Sequence, residues 1–67
     1  MGASELVALL LDALNEEGRA VGLLGRFTDI REDAVGSVVT YRGFAIPVAV
    51  GATMQDITDE AMEIDRA

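Results

Sequence analysis

Val35-Gly36-Ser37-Val38-Val39-Thr40-Tyr41-Arg42-Gly43-Phe44-Ala45-Ile46-Pro47-Val48-Ala49-Val50 is the stretch on which the fold turns. In its second half apolar residues recur at every other position, the period of a strand with one buried face. Phe44, Ile46, Val48 and Val50 take one side, and Ala45, Pro47 and Ala49 take the other. Arg42-Gly43 reads as a turn between a strand from about Val35 to Tyr41 and another from Phe44 to Val50. With a two-residue loop, Tyr41 faces Phe44, Val39 faces Ile46 and Val35 faces Val50. The large side chains of both strands then share one face, which favours this register. Arg is a poor residue for a positive φ, so a Gly-containing bulged turn is the other option. Pro47 lacks a backbone donor, which assigns its strand to an edge or puts a bulge near it.

Upstream, the period of two reaches back to Arg19. Val21, Leu23 and Phe27 lie on one side of an expected first strand, with Gly25 between them. The polar run from Asp29 to Asp33, interrupted only by Ile30, is expected to be a loop. Asp29, Glu32 and Asp33 there are candidates to recruit a cation or an arginine, against the simpler reading that Arg26 and Arg31 beside them balance the charge locally.

Both ends of the chain have helical spacing. In the first segment Ser4 is the expected N-cap, Glu5 suits the positive helix end, and Gly18 is the expected C′ residue. Leu6, Val7, Leu9, Leu10, Ala13 and Leu14 recur at spacings of three and four, and Ala8 and Leu11 widen the stripe. A helix apolar around most of its circumference calls for cover on more than one side. Leu6, Leu10, Leu11 and Leu14 are therefore the expected oligomer interface. In the last segment Thr53 caps a helix whose Met54, Ile57, Ala61 and Ile64 form an apolar stripe, with Thr58 the alternative cap for a later start. The order predicts an α+β fold: an N-terminal helix, a three-stranded antiparallel β-meander and a C-terminal helix, with residues 1–67 as a single small domain.

Composition narrows the chemistry. The 67 residues include no His, no Cys and no Lys, and 12 acidic groups face five arginines for a net charge of −7. Without Cys there is no disulfide, and without Cys or His a structural zinc site is excluded. Ser4 and Ser37 have no histidine or lysine to activate them, and no Gly-rich loop carries the Lys of a phosphate-binding motif. The expectation is a non-enzymatic protein with no cofactor and no metal. The arginines never form a run, which argues against direct nucleic-acid binding. The longest apolar run, Leu6 to Leu11, is far short of the roughly 20 residues that span a bilayer, and the N-terminus lacks a basic region. The expected location is therefore the cytoplasm, with no membrane association. A chain this short buries only about 60% of its unfolded surface, so a partner is the remaining support.

Two surfaces are candidates for that partner. Asp56, Asp59, Glu60 and Glu63 stand at i, i+3, i+4 and i+7, which puts four carboxylates on one face of the last helix. They suit an acidic docking surface, against the simpler reading of a solvated face. Tyr41, Arg42 and Phe44 at the hairpin tip are residue types enriched at interface hot spots, against the simpler reading of two core aromatics and a turn arginine.

Two stretches resemble small bacteriophage neck proteins of the head–tail connector or head-closure family. One is Gly18-Arg19-Ala20-Val21, continuing through Leu23 to Arg26-Phe27-Thr28. The other is Tyr41-Arg42-Gly43-Phe44-Ala45-Ile46-Pro47-Val48, followed by Met54-Gln55-Asp56-Ile57. The resemblance implies a helix before an antiparallel β-barrel, subunits arranged in a ring, and a place in the virion. The reading is an interaction or assembly module acting as a homo-oligomer, with a phage neck component as its most specific form. The alternative is a small acidic inhibitor or antitoxin-like regulator that mimics nucleic acid to a basic protein surface.

Overall fold

The computed structural model describes residues 2–34 and 36–67, without the side chains of residues 3, 4 and 33. Helix α1 (Ala3–Val21) leads into strands β1 (Phe27–Asp33), β2 (Gly36–Tyr41) and β3 (Phe44–Val48), and helix α2 (Met54–Arg66) follows. Among the described residues the strands form one antiparallel sheet in the order β1-β2-β3. The α+β order expected from the sequence is the order the chain adopts.

The hairpin follows from its turn. Arg42 and Gly43 have φ of 50° and 81°, the pair of positive values that a two-residue type I′ turn requires. Tyr41 pairs with Phe44 and Val39 with Ile46, and the described ladder ends at Ser37 opposite Val48. Val35 lies outside the described residues, and with it the expected partnership with Val50. Arg42 is the one non-glycine residue with positive φ among those described. The left-handed conformation costs a side-chain-bearing residue about 1–2 kcal/mol. Acting against that cost, the Arg42 guanidinium makes a 2.8 Å ion pair with Asp65. Pro47 sits on edge strand β3 opposite Val38. Counted from the hydrogen-bonded Tyr41–Phe44 pair, that position is non-hydrogen-bonded, so the missing N–H lies on the free edge.

β3 ends at Val48 rather than Val50, which lies beyond the strand and fully exposed. Three boundaries upstream also differ from the sequence reading. First, α1 continues past Gly18 to Val21 and ends at Gly22, whose φ of 85° is left-handed. The N–H groups of Gly22 and Leu23 donate to the Arg19 and Gly18 carbonyls, the pattern of a Schellman motif. Gly18 is buried inside the helix, and a Cβ there would lie 2.9 Å from Leu23 Cδ1. It makes room for the returning chain rather than ending the helix. Second, α1 starts at Ala3 with Gly2 as its N-cap and no side-chain cap, so Ser4 falls within the first turn. Third, β1 begins at Phe27, and the polar run Asp29 to Asp33 is strand, not loop. Ile30 pairs with Val39 on the core side, whereas Asp29 and Arg31 pair with Thr40 and Val38 and lie exposed on the other. A strand with a wet face needs an apolar residue only where it turns inward. A register shift between Phe27 and Asp29 lets Phe27 and Ile30, three residues apart, face the same way.

Both helices touch each other, with α1 over β1 and α2 over β3. Leu14, Phe27, Val39, Tyr41, Ile46, Ile57 and Ala61 form the buried core, with Leu11, Leu23, Ile30, Val48 and Ile64 packed against it. The Phe27 and Tyr41 rings meet at 5.0 Å with a 45° tilt, within the range of favourable aromatic pairs. Thr53 caps α2 as expected, and does so in a capping box. Its hydroxyl accepts from the Asp56 N–H at 3.2 Å while the Asp56 carboxylate accepts from the Thr53 N–H at 2.9 Å. Thr58 is a buried interior residue whose hydroxyl donates to the Gln55 carbonyl. Met54, the first residue of the expected stripe, stays exposed.

Candidate functional site

Helix α1 carries two apolar rows. At 100° per residue, Val7, Leu11, Leu14 and Gly18 line one face, and Leu6, Leu9, Leu10 and Ala13 line the face beside it. The sheet and α2 cover the first row. Leu6, Leu9 and Leu10 in the second keep 54%, 55% and 46% of their surface in water. Of the four leucines expected at an oligomer interface, Leu6 and Leu10 are therefore free to meet another molecule. Leu14 is not: it is 3% exposed and belongs to the core, and Leu11 packs half-buried against it. Those two occupy the phase of the helix that points at β1.

Two polar side chains that the sequence reading passed over hold this arrangement. Asn15 is buried on α1, and its amide makes both bonds to one residue of β1. Its Oδ1 accepts from the Phe27 N–H at 2.7 Å and its Nδ2 donates to the Phe27 carbonyl at 3.0 Å. Asp65, in the last turn of α2, gathers three segments. Its carboxylate accepts from the Leu24 N–H at 2.9 Å, the Tyr41 hydroxyl at 2.8 Å and the Arg42 guanidinium at 2.8 Å. The Tyr41 hydroxyl also accepts from the Gly25 N–H at 2.8 Å. The Leu24 N–H, followed by the Tyr41 and Arg42 donors, holds the Asp65 carboxyl below its ordinary value against an opposing desolvation. Burial, helped by the nearby Asp65 charge and opposed by the Gly25 N–H and Arg42, raises the Tyr41 phenol. One sequence signal pointed to Asp65: an acidic residue at the negative end of a helix is unfavourably placed unless something else holds it.

This network also decides the hairpin tip. Tyr41 is fully buried, with its hydroxyl bonded inside the molecule, so it has no surface to offer a partner. The register that pairs it with Phe44 turns it inward, under the ring of Phe27. Arg42 is exposed but tied to Asp65, and Phe44 stands 58% exposed beside it.

The four acidic residues of α2 are all exposed along one face, as their spacing predicts. They are not equivalent. Asp56 serves the capping box, and Glu63 lies 3.4 Å from Arg66. Asp59 and Glu60 have no cationic partner among the described residues. Asp56, Asp59 and Glu60, with Ile57, form one wall of an open groove of about 600 Å³. Residues 46–52 form the other. Among the described residues no three Asp or Glu side chains converge as metal ligands, and no helix is long and apolar enough to cross a membrane. No protein-family model, curated protein or solved structure matches this chain.

Proposed function

We propose that this chain is a non-catalytic assembly module that works as a homo-oligomer joined through the outer row of α1. The observation that supports this reading is the second apolar row of one 19-residue helix, left in water while the first is buried. Exposed apolar patches on small proteins mark contact surfaces. Ala13 lies within the row, where a small side chain lets two helices approach closely. The composition favours the same conclusion, since a chain without disulfide or zinc has association as its remaining support. Within this reading, the most specific form is a component of a phage neck, on the strength of the sequence resemblance alone. Recovery of the protein with portal or tail components from its native source would test that form.

Sedimentation velocity tests the broader reading. The wild-type chain is expected to sediment above the monomer mass, and the variant carrying Leu6→Glu and Leu10→Glu as a monomer. Both positions are exposed, so the variant keeps its fold, which circular dichroism checks. A wild type that stays monomeric at high concentration would overturn the proposal. Salt supplies a second sign. Two copies of charge −7 repel, so screening should strengthen their association.

A further inference from the structure

We propose that the groove between β3 and α2 binds an extended, arginine-bearing segment of a basic protein, independently of the α1 contact. Three observations converge on that occupant. Three consecutive strand residues, Ile46, Pro47 and Val48, line one wall, continued by residues 49–52 of the connection to α2. Alternate side chains of a strand leave for opposite faces, so consecutive residues line one space only along the backbone edge. The groove therefore runs beside the free edge of β3, a place where an extended chain fits.

Pro47 fixes the polarity of that edge. Its position opposite Val38 turns its carbonyl outward, and proline has no N–H to place beside it. The edge is thus richer in acceptors than an ordinary strand edge, and it pairs poorly with a second neutral strand. The opposite wall adds the carboxylates of Asp56, Asp59 and Glu60, which accept hydrogen bonds and donate none. No arginine of the chain lines the groove. Arg19, Arg42 and Arg66 are each within 4.0 Å of another acid, namely Glu16, Asp65 and Glu63.

A site with an apolar floor at Ile46, Val48 and Ile57, and with acceptors on both walls, lacks donors and positive charge. Arginine supplies both: a five-donor guanidinium for the carboxylates and Pro47, and an aliphatic stem for the floor. Asp59 and Glu60 are the residues with most to give, since neither is engaged elsewhere. Asp56 already accepts the Thr53 N–H and contributes mainly its charge.

The test is a nitrogen-15 amide titration of the full chain with a short capped peptide of alternating arginine and valine, at low salt. Shifts are expected to concentrate at residues 48–52 and 56–60. The variant carrying Asp59→Asn and Glu60→Gln should bind the peptide roughly three- to tenfold more weakly, the scale of two partly exposed charge pairs. A variant carrying Glu16→Gln and Glu17→Gln should bind as the wild type does, and added salt should weaken binding. Amide positions outside the groove report that each variant is folded. Shifts spread equally over the acids of α1 would overturn the proposal, as would unchanged affinity in the Asp59 and Glu60 variant or an absence of shifts. Groove amides that move on dilution of the protein alone would give the site to a second copy and overturn it too.

Discussion

Tyr41 and Asp65 show how much one contact can settle in so small a chain. A phenol at the end of a strand and a carboxylate in the last turn of a helix are unremarkable in isolation. Together they tie β2, the segment after α1 and the end of α2 at a single point. Tyr41→Phe keeps the ring but leaves the Gly25 N–H without its acceptor and Asp65 with one donor fewer. The expected cost is about 1–3 kcal/mol, read from denaturant unfolding. The same pair sets a pH window. Asp65 titrates lower in the folded chain than in the unfolded one, so its contribution is present above the ordinary carboxylate range and fades as pH falls beneath it through the lowered folded value. Tyr41 titrates higher when folded, so its contribution is present below the ordinary phenol range and fades as pH rises beyond it through the raised folded value. Thermal melts should show both limbs, with Asp65→Asn flattening the acid one and Tyr41→Phe the alkaline one. An alkaline limb unchanged in Tyr41→Phe would mean another group controls it.

Each helix and strand was readable to a different degree, for local reasons. The β2–β3 hairpin and the start of α2 were the most legible, because their signals are short-range: a two-residue turn, alternation, and a Thr53 cap three residues before Asp56. The capping box can be measured directly. Thr53→Ala should destabilise the chain by about 1 kcal/mol, with the loss seen as fraying of residues 54–57 in amide exchange. Fraying as slight as in the wild type would show that packing of Ile57 and Ala61 alone holds that end. The end of α1 and the start of β1 were misread because glycine has more than one use. Gly18 resembles a helix stop in sequence, yet it is an interior residue that clears space for Leu23. Gly22, four residues on, is the stop. Likewise Asp29 to Asp33 looks like loop until β2 supplies its ladder.

Taken together, these elements form a chain 34 Å long and 23 by 22 Å across, with α1 as its longest helix. At roughly 0.05–0.15 kcal/mol per residue, a fold of 67 residues has on the order of 3–10 kcal/mol of stability. Any contact that binds only the folded form then matters in proportion. Association through Leu6, Leu9 and Leu10 should make the melting temperature rise with protein concentration, by mass action. The Leu6→Glu and Leu10→Glu variant should melt at one temperature between about 1 and about 100 µM. Concentration-independent melting of the wild type would remove self-association as a source of stability. The groove, by contrast, should affect melting only when a basic peptide is present.

Composition, periodicity and turn chemistry determined the class of fold, the hairpin register, the cap of α2 and the acidic face of that helix. Each depends on residues close together in the chain, where spacing fixes geometry. The packed fold decided which of the apolar residues of α1 are core, with Leu14 inside and Leu6 and Leu10 outside. It also buried Tyr41, joined Asp65 to residues 24 and 41 positions away, and set the edge of β3 against the carboxylates of α2. Those outcomes depend on which elements meet, and a helix apolar on two sides reads the same whichever side the sheet takes.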